Sequence, residues 1–286
     1  MQEIEPHRFD KGNLMESIKL NNGNSIPIVG LGVFQTRDGE ETVNAVKWAL
    51  EAGYRHIDTA SYYHNEESVG IAIKESGIPR EDIFVTTKVW NNAVRENRVQ
   101  GAFERSLARL DMDYVDLFLI HWPVDGFEAA WKTMESLYEQ GMIKAIGLSN
   151  FHKHHVERID AIANVAPAVD QIESNPYFNN QELIDYLQGR GIAVEAWSPL
   201  GGTGGNIMED ALLQSLAEKY GKSPAQIIIR WNMQRGVIVL PKSTHQERII
   251  QNFAVEDFEL DEDDIAAISA LDCGRRTGPD PDNFNF

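Results

Sequence analysis

The sequence predicts a single (β/α)8 barrel, an α/β fold, on three observations. Eight short apolar runs rich in Val, Ile and Leu recur along the chain, each followed by a polar or Gly-bearing bend and a stretch of helical period. No linker or low-complexity tract divides the 286 residues, and barrels of this kind run to about 250 residues. Composition is that of a globular chain, 42% hydrophobic and 24% charged, which excludes disorder, collagen and coiled coil as whole-chain descriptions.

The elements follow in order. Residues 1–17 form an extension outside the repeat, and residues 18–286 form the barrel unit. The opening MQEIEPHRFDKGNL has no apolar segment of a secretory signal. Residues 18–28 carry Asn22-Gly23 between short apolar runs and predict a β-hairpin ahead of the barrel. The runs are Ile28–Phe34, Tyr54–Asp58, Ile83–Lys88, Tyr114–His121, Ile143–Leu148, Ala168–Ile172, Ile192–Trp197 and Gly236–Leu240. Strands that are apolar throughout, alternating with helices, indicate parallel pairing under helical cover. Between them, Val43, Val46 and Leu50 mark a helix opened by Glu40 and Glu41 and stopped at Gly53. Val99, Phe103, Leu107 and Leu110 repeat the pattern, as do Val156, Ile159 and Ile162. In the acidic run 256–264, Asp261 caps a last helix and Glu262, Asp263 and Asp264 face its positive dipole end. Residues 272–286 are an irregular tail.

Net charge is −18, from 26 basic and 44 acidic residues, so phosphate backbones and anionic lipid surfaces are poor partners. A few local cations can still hold a small anion. No apolar run approaches the ~18 residues of a membrane span. One cysteine, Cys273, precludes an internal disulfide and fits a reducing compartment. A soluble cytoplasmic protein is expected, a monomer or weak oligomer, with no nucleic-acid or membrane partner.

Position carries the functional argument. Barrel chemistry sits at the C-terminal ends of the strands, and there the chain repeatedly places polar residues: Asp58, Lys88, His121, Ser149-Asn150, Gln171, Trp197-Ser198 and Lys242-Ser243. Any one of these reads equally well as a surface loop residue; seven at one rim read as a site. Lys88 and Asp58 should pair there, since each alone carries a large desolvation cost. A tyrosine beside the ammonium, Tyr63, is then expected to have its pKa lowered below ~10 and to exchange a proton with a developing alkoxide. His121 supplies a second hydrogen bond to the same oxygen. A plain Asp58–Lys88 ion pair and a packing Tyr63 remain the alternative.

The eighth run leads through Pro241-Lys242-Ser243-Thr244 into a helix from about His245, with Thr244 and Glu247 at capping-box spacing. A helix N-terminus flanked by Lys242 and Arg248 suits a phosphate monoester; two solvated cations are the plain alternative. Gly30-Leu31-Gly32 lacks the third glycine of a dinucleotide fingerprint and is discounted. The run Gly201–Gly205 reads only as a mobile loop. His152, His154 and His155 open an amphipathic helix without a nearby carboxylate or cysteine set, so no metal is implied.

The segments GYRHIDTASYYHNE (53–66), VTTKVW (85–90), DYVDLFLIHWP (113–123), IGLSNF (146–151), VDQIESNP (169–176), AWSPLGG (196–202) and PKSTHQERIIQN (241–252) resemble the aldo-keto reductase family. The likeness runs from residue 18 to the C-terminus. It is strongest to the branch of 2,5-diketogluconate reductases, glyoxal or methylglyoxal reductases and prostaglandin F synthase-like enzymes.

The resemblance implies the barrel already reached from the repeats, with NADPH as cofactor. Tyr63 would be the general acid, helped by Lys88 and His121, with Asp58 holding Lys88. Ser149, Asn150 and Gln171 would hold the nicotinamide carboxamide, and Trp197 would stack on the ring. Ser198, Leu200 and the glycine loop, Gly202 included, would cover the pyrophosphate. Lys242, Ser243, Thr244 and Arg248 would take the 2′-phosphate, with Gln251 and Asn252 near the adenine. Phe34, Trp90 and Trp122, beside His121, would wall the carbonyl pocket. His245 and Gln251 depart from residues common in relatives, arginine and glutamate. The implied function is NADPH-dependent reduction of aldehydes or ketones, small dicarbonyl or sugar-type carbonyls foremost. Two other readings stay open: an NADPH-binding regulatory subunit, and a barrel hydrolase or isomerase acting on a phosphorylated metabolite.

Overall fold

The computed structural model describes residues 15–202 and 206–286; most of the N-terminal extension (1–14) and Thr203-Gly204-Gly205 of the glycine loop lie outside them. Strands β1 (Ser17–Lys19) and β2 (Ser25–Pro27) form the expected antiparallel hairpin, with Ile18 opposite Ile26. Its Leu20 and Ile26 pack on Phe84, Leu117 and Ala168, at the starts of three barrel strands, and so stopper the N-terminal mouth. Met15, ahead of the hairpin, is itself buried.

Eight parallel strands follow, neighbours in space in chain order: β3 (Leu31–Gly32), β4 (His56–Asp58), β5 (Phe84–Val89), β6 (Leu117–Ile120), β7 (Ile146–Ser149), β8 (Val169–Glu173), β9 (Ala193–Trp197) and β10 (Val237–Val239). A parallel bridge between Val29 and Val239 closes the ring, with Gly30 N donating to Val239 O at 2.9 Å and Val239 N to Ile28 O at 2.8 Å. All eight apolar runs hold a strand. Their residues are buried toward both the barrel interior and the helices, which is why the runs are mostly apolar instead of alternating.

The helices are α1 (Glu40–Ala52), α2 (Glu66–Ser76), α3 (Asn91–Arg95), α4 (Val99–Leu110), α5 (Phe127–Glu139), α6 (Lys153–Asp160), α7 (Gln181–Gly189), α8 (Ala211–Tyr220), α9 (Pro224–Gln234), α10 (Gln246–Phe253) and α11 (Glu262–Ser269). Helix α1 stops at Gly53, whose φ of 111° needs glycine. Asp261 caps α11, accepting from Asp264 N at 2.8 Å. At α10 the expected capping box does not form: His245 is the cap residue and no side chain caps the helix. Ser243 Oγ instead accepts from His245 N at 3.1 Å, a local turn that takes the hydroxyl role and leaves Thr244 and Glu247 outside it.

Helix α2 approaches α4 closely through Gly70. A Cβ there would lie 2.2 Å from the carbonyl oxygen of Leu110, backbone that cannot rotate away. Gly70→Ala is therefore expected to destabilise by about 1–3 kcal/mol despite alanine's better helix propensity, measured as a lowered urea midpoint.

Candidate active site

The polar rim forms as the strand ends predict. Lys88, in β5, is fully buried, and its Nζ donates to Asp58 Oδ1 at 2.6 Å, to Thr59 O at 3.0 Å and to the Tyr63 hydroxyl at 3.2 Å. Three oxygens on three sides let a charge survive without water. Tyr63 ends a 3-10 turn over Ser61–Tyr63 that is anchored by Ser61 Oγ donating to Lys88 O at 2.9 Å. The His121 ring meets Tyr63 edge-on at 5.7 Å between centroids.

The electrostatics differ from expectation in one respect. Burial raises the Tyr63 pKa, and the opposing pull of Lys88 does not overcome it, so the phenol sits above its ordinary value and not below it. Burial pulls the Lys88 pKa down, but Asp58 and Tyr63 outweigh it and hold the ammonium charged. Burial and the Lys88 charge push His121 well below the usual histidine range, so its imidazole is neutral.

A second group lies beside this one. Asn150 adopts φ 66°, a left-handed conformation that asparagine tolerates. Its Nδ2 donates to His121 O at 3.0 Å and to Ser149 Oγ at 3.2 Å, while its Oδ1 accepts from Trp197 Nε1 at 2.8 Å. Ser149 Oγ donates to Gln171 O at 3.0 Å. Gln171 Nε2 donates to Asp58 Oδ2 and to Glu195 Oε2, both at 2.8 Å. The backbone then turns sharply, with Ser198 at φ 47° and Gly202 at φ 63°, and Leu200 packs against the core. The tail crosses here. Thr277 Oγ1 donates to Glu173 Oε1 at 2.6 Å, and Gly278 abuts Trp197 so closely that a Cβ would lie 2.4 Å from the indole.

A third group surrounds the start of α10. Lys242 and Arg248 are exposed and make no ion pair among the described residues. Ser243 is buried and Thr244 half-buried. Gln251 is exposed on the last turns, and Asn252 is buried.

Aromatic side chains wall the space over Tyr63. Phe34 lies 4.9 Å from Tyr63 and is 47% exposed, so it is a rim group. Trp90 stacks on Tyr62 at 3.8 Å and meets His121 at 5.0 Å. The tail completes the wall, Phe286 lying parallel to Trp90 at 5.7 Å and Trp122 contacting Phe284 and Phe286 at 5.0 and 5.2 Å. The three histidines of α6 do meet a carboxylate, contrary to expectation. Asp282 of the tail lies 2.7 Å from His152 Nδ1, 3.1 Å from His154 Nε2 and 3.4 Å from His155 Nε2. Because His155 Nδ1 accepts the His152 N–H at 3.2 Å, its Nε2 carries the hydrogen and faces Asp282. The cluster is a hydrogen-bonded clasp on the tail.

Residues 28–272 match the model of the aldo/keto reductase family. The chain belongs to the aldo/keto reductase family. It is 47% identical over 275 residues to a glyoxal reductase of Bacillus subtilis, covering 96% of this chain and 99% of that protein. Among solved structures it is similar to MGS-M4, an aldo-keto reductase from a Medee basin deep-sea metagenome library, at a TM-score of 0.92 and 44% identity over 94% of this chain and 100% of that one. A Bombyx mori aldo-keto reductase solved in complex with NADP has a TM-score of 0.88 and 38% identity, with 95% and 97% covered. This aldo-keto reductase is an oxidoreductase whose reaction is NADPH-dependent carbonyl reduction, which removes the hydrolase and isomerase readings.

The reductase's residues fit that cofactor. Gln171 spends both amide hydrogens on Asp58 and Glu195, leaving its oxygen without a protein donor among the described residues. The uncapped α10 start, beside two cations that make no ion pair among the described residues, is chemically suited to a phosphate even in a chain of charge −18. Sequence reasoning did not identify Tyr62, Phe284, Phe286, Glu195 or His56 at the site. A glutamate and a histidine inside otherwise apolar strand runs were a usable signal for the last two. No helix among the described residues is long and apolar enough to cross a membrane.

Proposed function

We propose that this chain reduces small dicarbonyl or sugar-type carbonyls, with Tyr63 as the proton donor. The observation that carries the reading is Lys88, fully buried, bonded at once to Asp58 and to the Tyr63 hydroxyl. When bound, NADPH supplies the hydride from C4 of its nicotinamide ring. The Tyr63 hydroxyl hands its proton to the carbonyl oxygen as charge builds there, and the Lys88 ammonium stabilises the phenolate left behind. Neutral His121 offers a second hydrogen bond to the same oxygen and orients it. Water re-protonates Tyr63 after release.

Ser149, Asn150 and Gln171 would hold the carboxamide, with Trp197 stacking on the ring. Ser198, Leu200 and Gly202 would cover the pyrophosphate. Lys242, Ser243, Thr244 and Arg248 would take the 2′-phosphate, with Gln251 and Asn252 near the adenine. Phe34, Trp90 and Trp122 wall the substrate pocket and keep water from the reacting carbon. The small-dicarbonyl reading rests on the glyoxal reductase relative and on the aromatic wall that narrows the space over Tyr63. Residues 18–286 act as one domain, residues 1–17 as an extension, in a cytoplasmic monomer or weak oligomer.

The test is a turnover panel of methylglyoxal, glyoxal, sugar aldehydes, keto acids, steroids and quinones, read by loss of nicotinamide absorbance. Methylglyoxal and glyoxal are expected to give the highest kcat/KM. A protein that consumes NADPH with none of them refutes the substrate reading.

A further inference from the structure

The barrel interior below the rim carries a second set of buried polar side chains. Glu195, in β9, is fully buried, and its Oε2 accepts one hydrogen of Gln171 Nε2 at 2.8 Å while Asp58 Oδ2 accepts the other at 2.8 Å. Its other oxygen, Oε1, has no hydrogen-bond partner and lies 3.7 Å from His56 Nε2. His56, also fully buried, has that nitrogen 3.1 Å from Thr86 Oγ1. The ring fits only because residue 30 is glycine, since a Cβ there would lie 2.5 Å from His56 Nδ1. An apolar barrel of this size needs no such set, and each member costs free energy to bury.

We propose that Glu195 is a positioning residue for the reduction: with Asp58 it pins the amide of Gln171 so that the amide oxygen faces the cofactor, and it thereby ties the Lys88 cluster to the carboxamide clamp. The inference rests on the proposed roles of Gln171 and Lys88. With acceptors on both of its hydrogens, the Gln171 amide cannot flip without turning its oxygen onto two carboxyl groups. Remove Glu195 and only Asp58 opposes the flip.

The charge state fits the task. The groups facing Glu195 across the interior are Asp58 and His56 on β4 and Lys88 on β5; the flanking strands set Gln171 and Ile238 beside it. Burial first, then the Asp58 charge, pushes the Glu195 pKa up to about 8, while Gln171 and Lys88 oppose. At neutral pH Glu195 therefore carries a proton, on the oxygen that points toward neutral His56. Ionisation would place a second negative charge beside Asp58, compete for Lys88 and repel an anionic cofactor. The folded state binds this proton more tightly than the unfolded chain does. Its contribution to stability is thus fully present below the ordinary carboxyl range and is lost as pH rises through about 8.

The experiment titrates NADPH by quenching of tryptophan fluorescence across a pH range spanning 8, with thermal melts alongside. The wild type is expected to lose affinity about tenfold through that interval. Glu195→Ala should weaken NADPH at neutral pH about three- to tenfold, the size of one ordinary hydrogen bond. Glu195→Gln, which mimics the protonated carboxyl, should recover that loss and flatten the alkaline decline. A purely structural role would move the melting temperature and leave the pH dependence of affinity as it was. Wild-type affinity in a folded Glu195→Ala, or an alkaline decline that persists in Glu195→Gln, overturns the proposal; the second arm serves if the alanine variant does not fold. No binding of NADPH by the wild type at any pH overturns the reading beneath it, and this inference with it.

Discussion

Tyr63→Phe is expected to lower kcat for carbonyl reduction by about 10²–10⁴-fold, the range for loss of a general acid. The substitution removes one oxygen and little else. The ring keeps its contacts with Phe34 and His121, and Lys88 keeps Asp58 and the Thr59 carbonyl. The residues proposed to hold the cofactor, Asn150, Gln171 and Trp197, make their bonds without the hydroxyl. The NADPH dissociation constant should accordingly change less than threefold or so, well under one hydrogen bond to a charged group. Because burial holds the phenol above its usual pKa, wild-type reduction should show no loss from Tyr63 ionisation at neutral or mildly alkaline pH. Wild-type turnover in the phenylalanine variant would take Tyr63 out of the mechanism.

Arg248→Ala should weaken NADPH by about 10–100-fold and NADH by less than about threefold, the spread expected when one charge-assisted bond of ~1.5–3 kcal/mol is deleted. Arg248 lies in the first turn of α10, exposed, and without a carboxylate partner among the described residues. Its removal should leave the fold intact, and an unchanged urea midpoint would verify that. The loss should shrink as salt rises, since the group is solvent-facing. Equal weakening of both dinucleotides would put the 2′-phosphate elsewhere.

The barrel was legible because its strands are buried on two faces and so write continuous apolar runs into the chain. Of the polar residues named from the sequence, Asp58, Lys88, His121, Ser149, Asn150, Gln171 and Trp197 join one hydrogen-bonded network, with Gln171 at mid-strand, while Lys242 and Ser243 lie past β10 beside α10. Where the reading erred, depth or a non-local partner was the cause. The ammonium beside Tyr63 could be anticipated, but the burial that outweighs it could not. Thr244 and Glu247 have capping-box spacing, yet the Ser243 hydroxyl reached the backbone first. The three histidines of α6 showed no carboxylate nearby because Asp282 arrives from about 130 residues away. Phe284 and Phe286 lie in a tail without periodicity, so nothing local announced that they wall the pocket.

The proton-handling groups ride on strands or on a turn tied to one, whereas much of the aromatic wall hangs from a tail clasped at Asp282. Part of the wall is thus anchored apart from the proton-handling groups, while Trp90 and Trp122 follow directly on β5 and His121. In the proposed pocket, replacing Phe284 or Phe286 would reshape the doorway for incoming compounds while the Tyr63 hydroxyl kept its Lys88 bond, so a lineage could change its diet by drift in its last few codons.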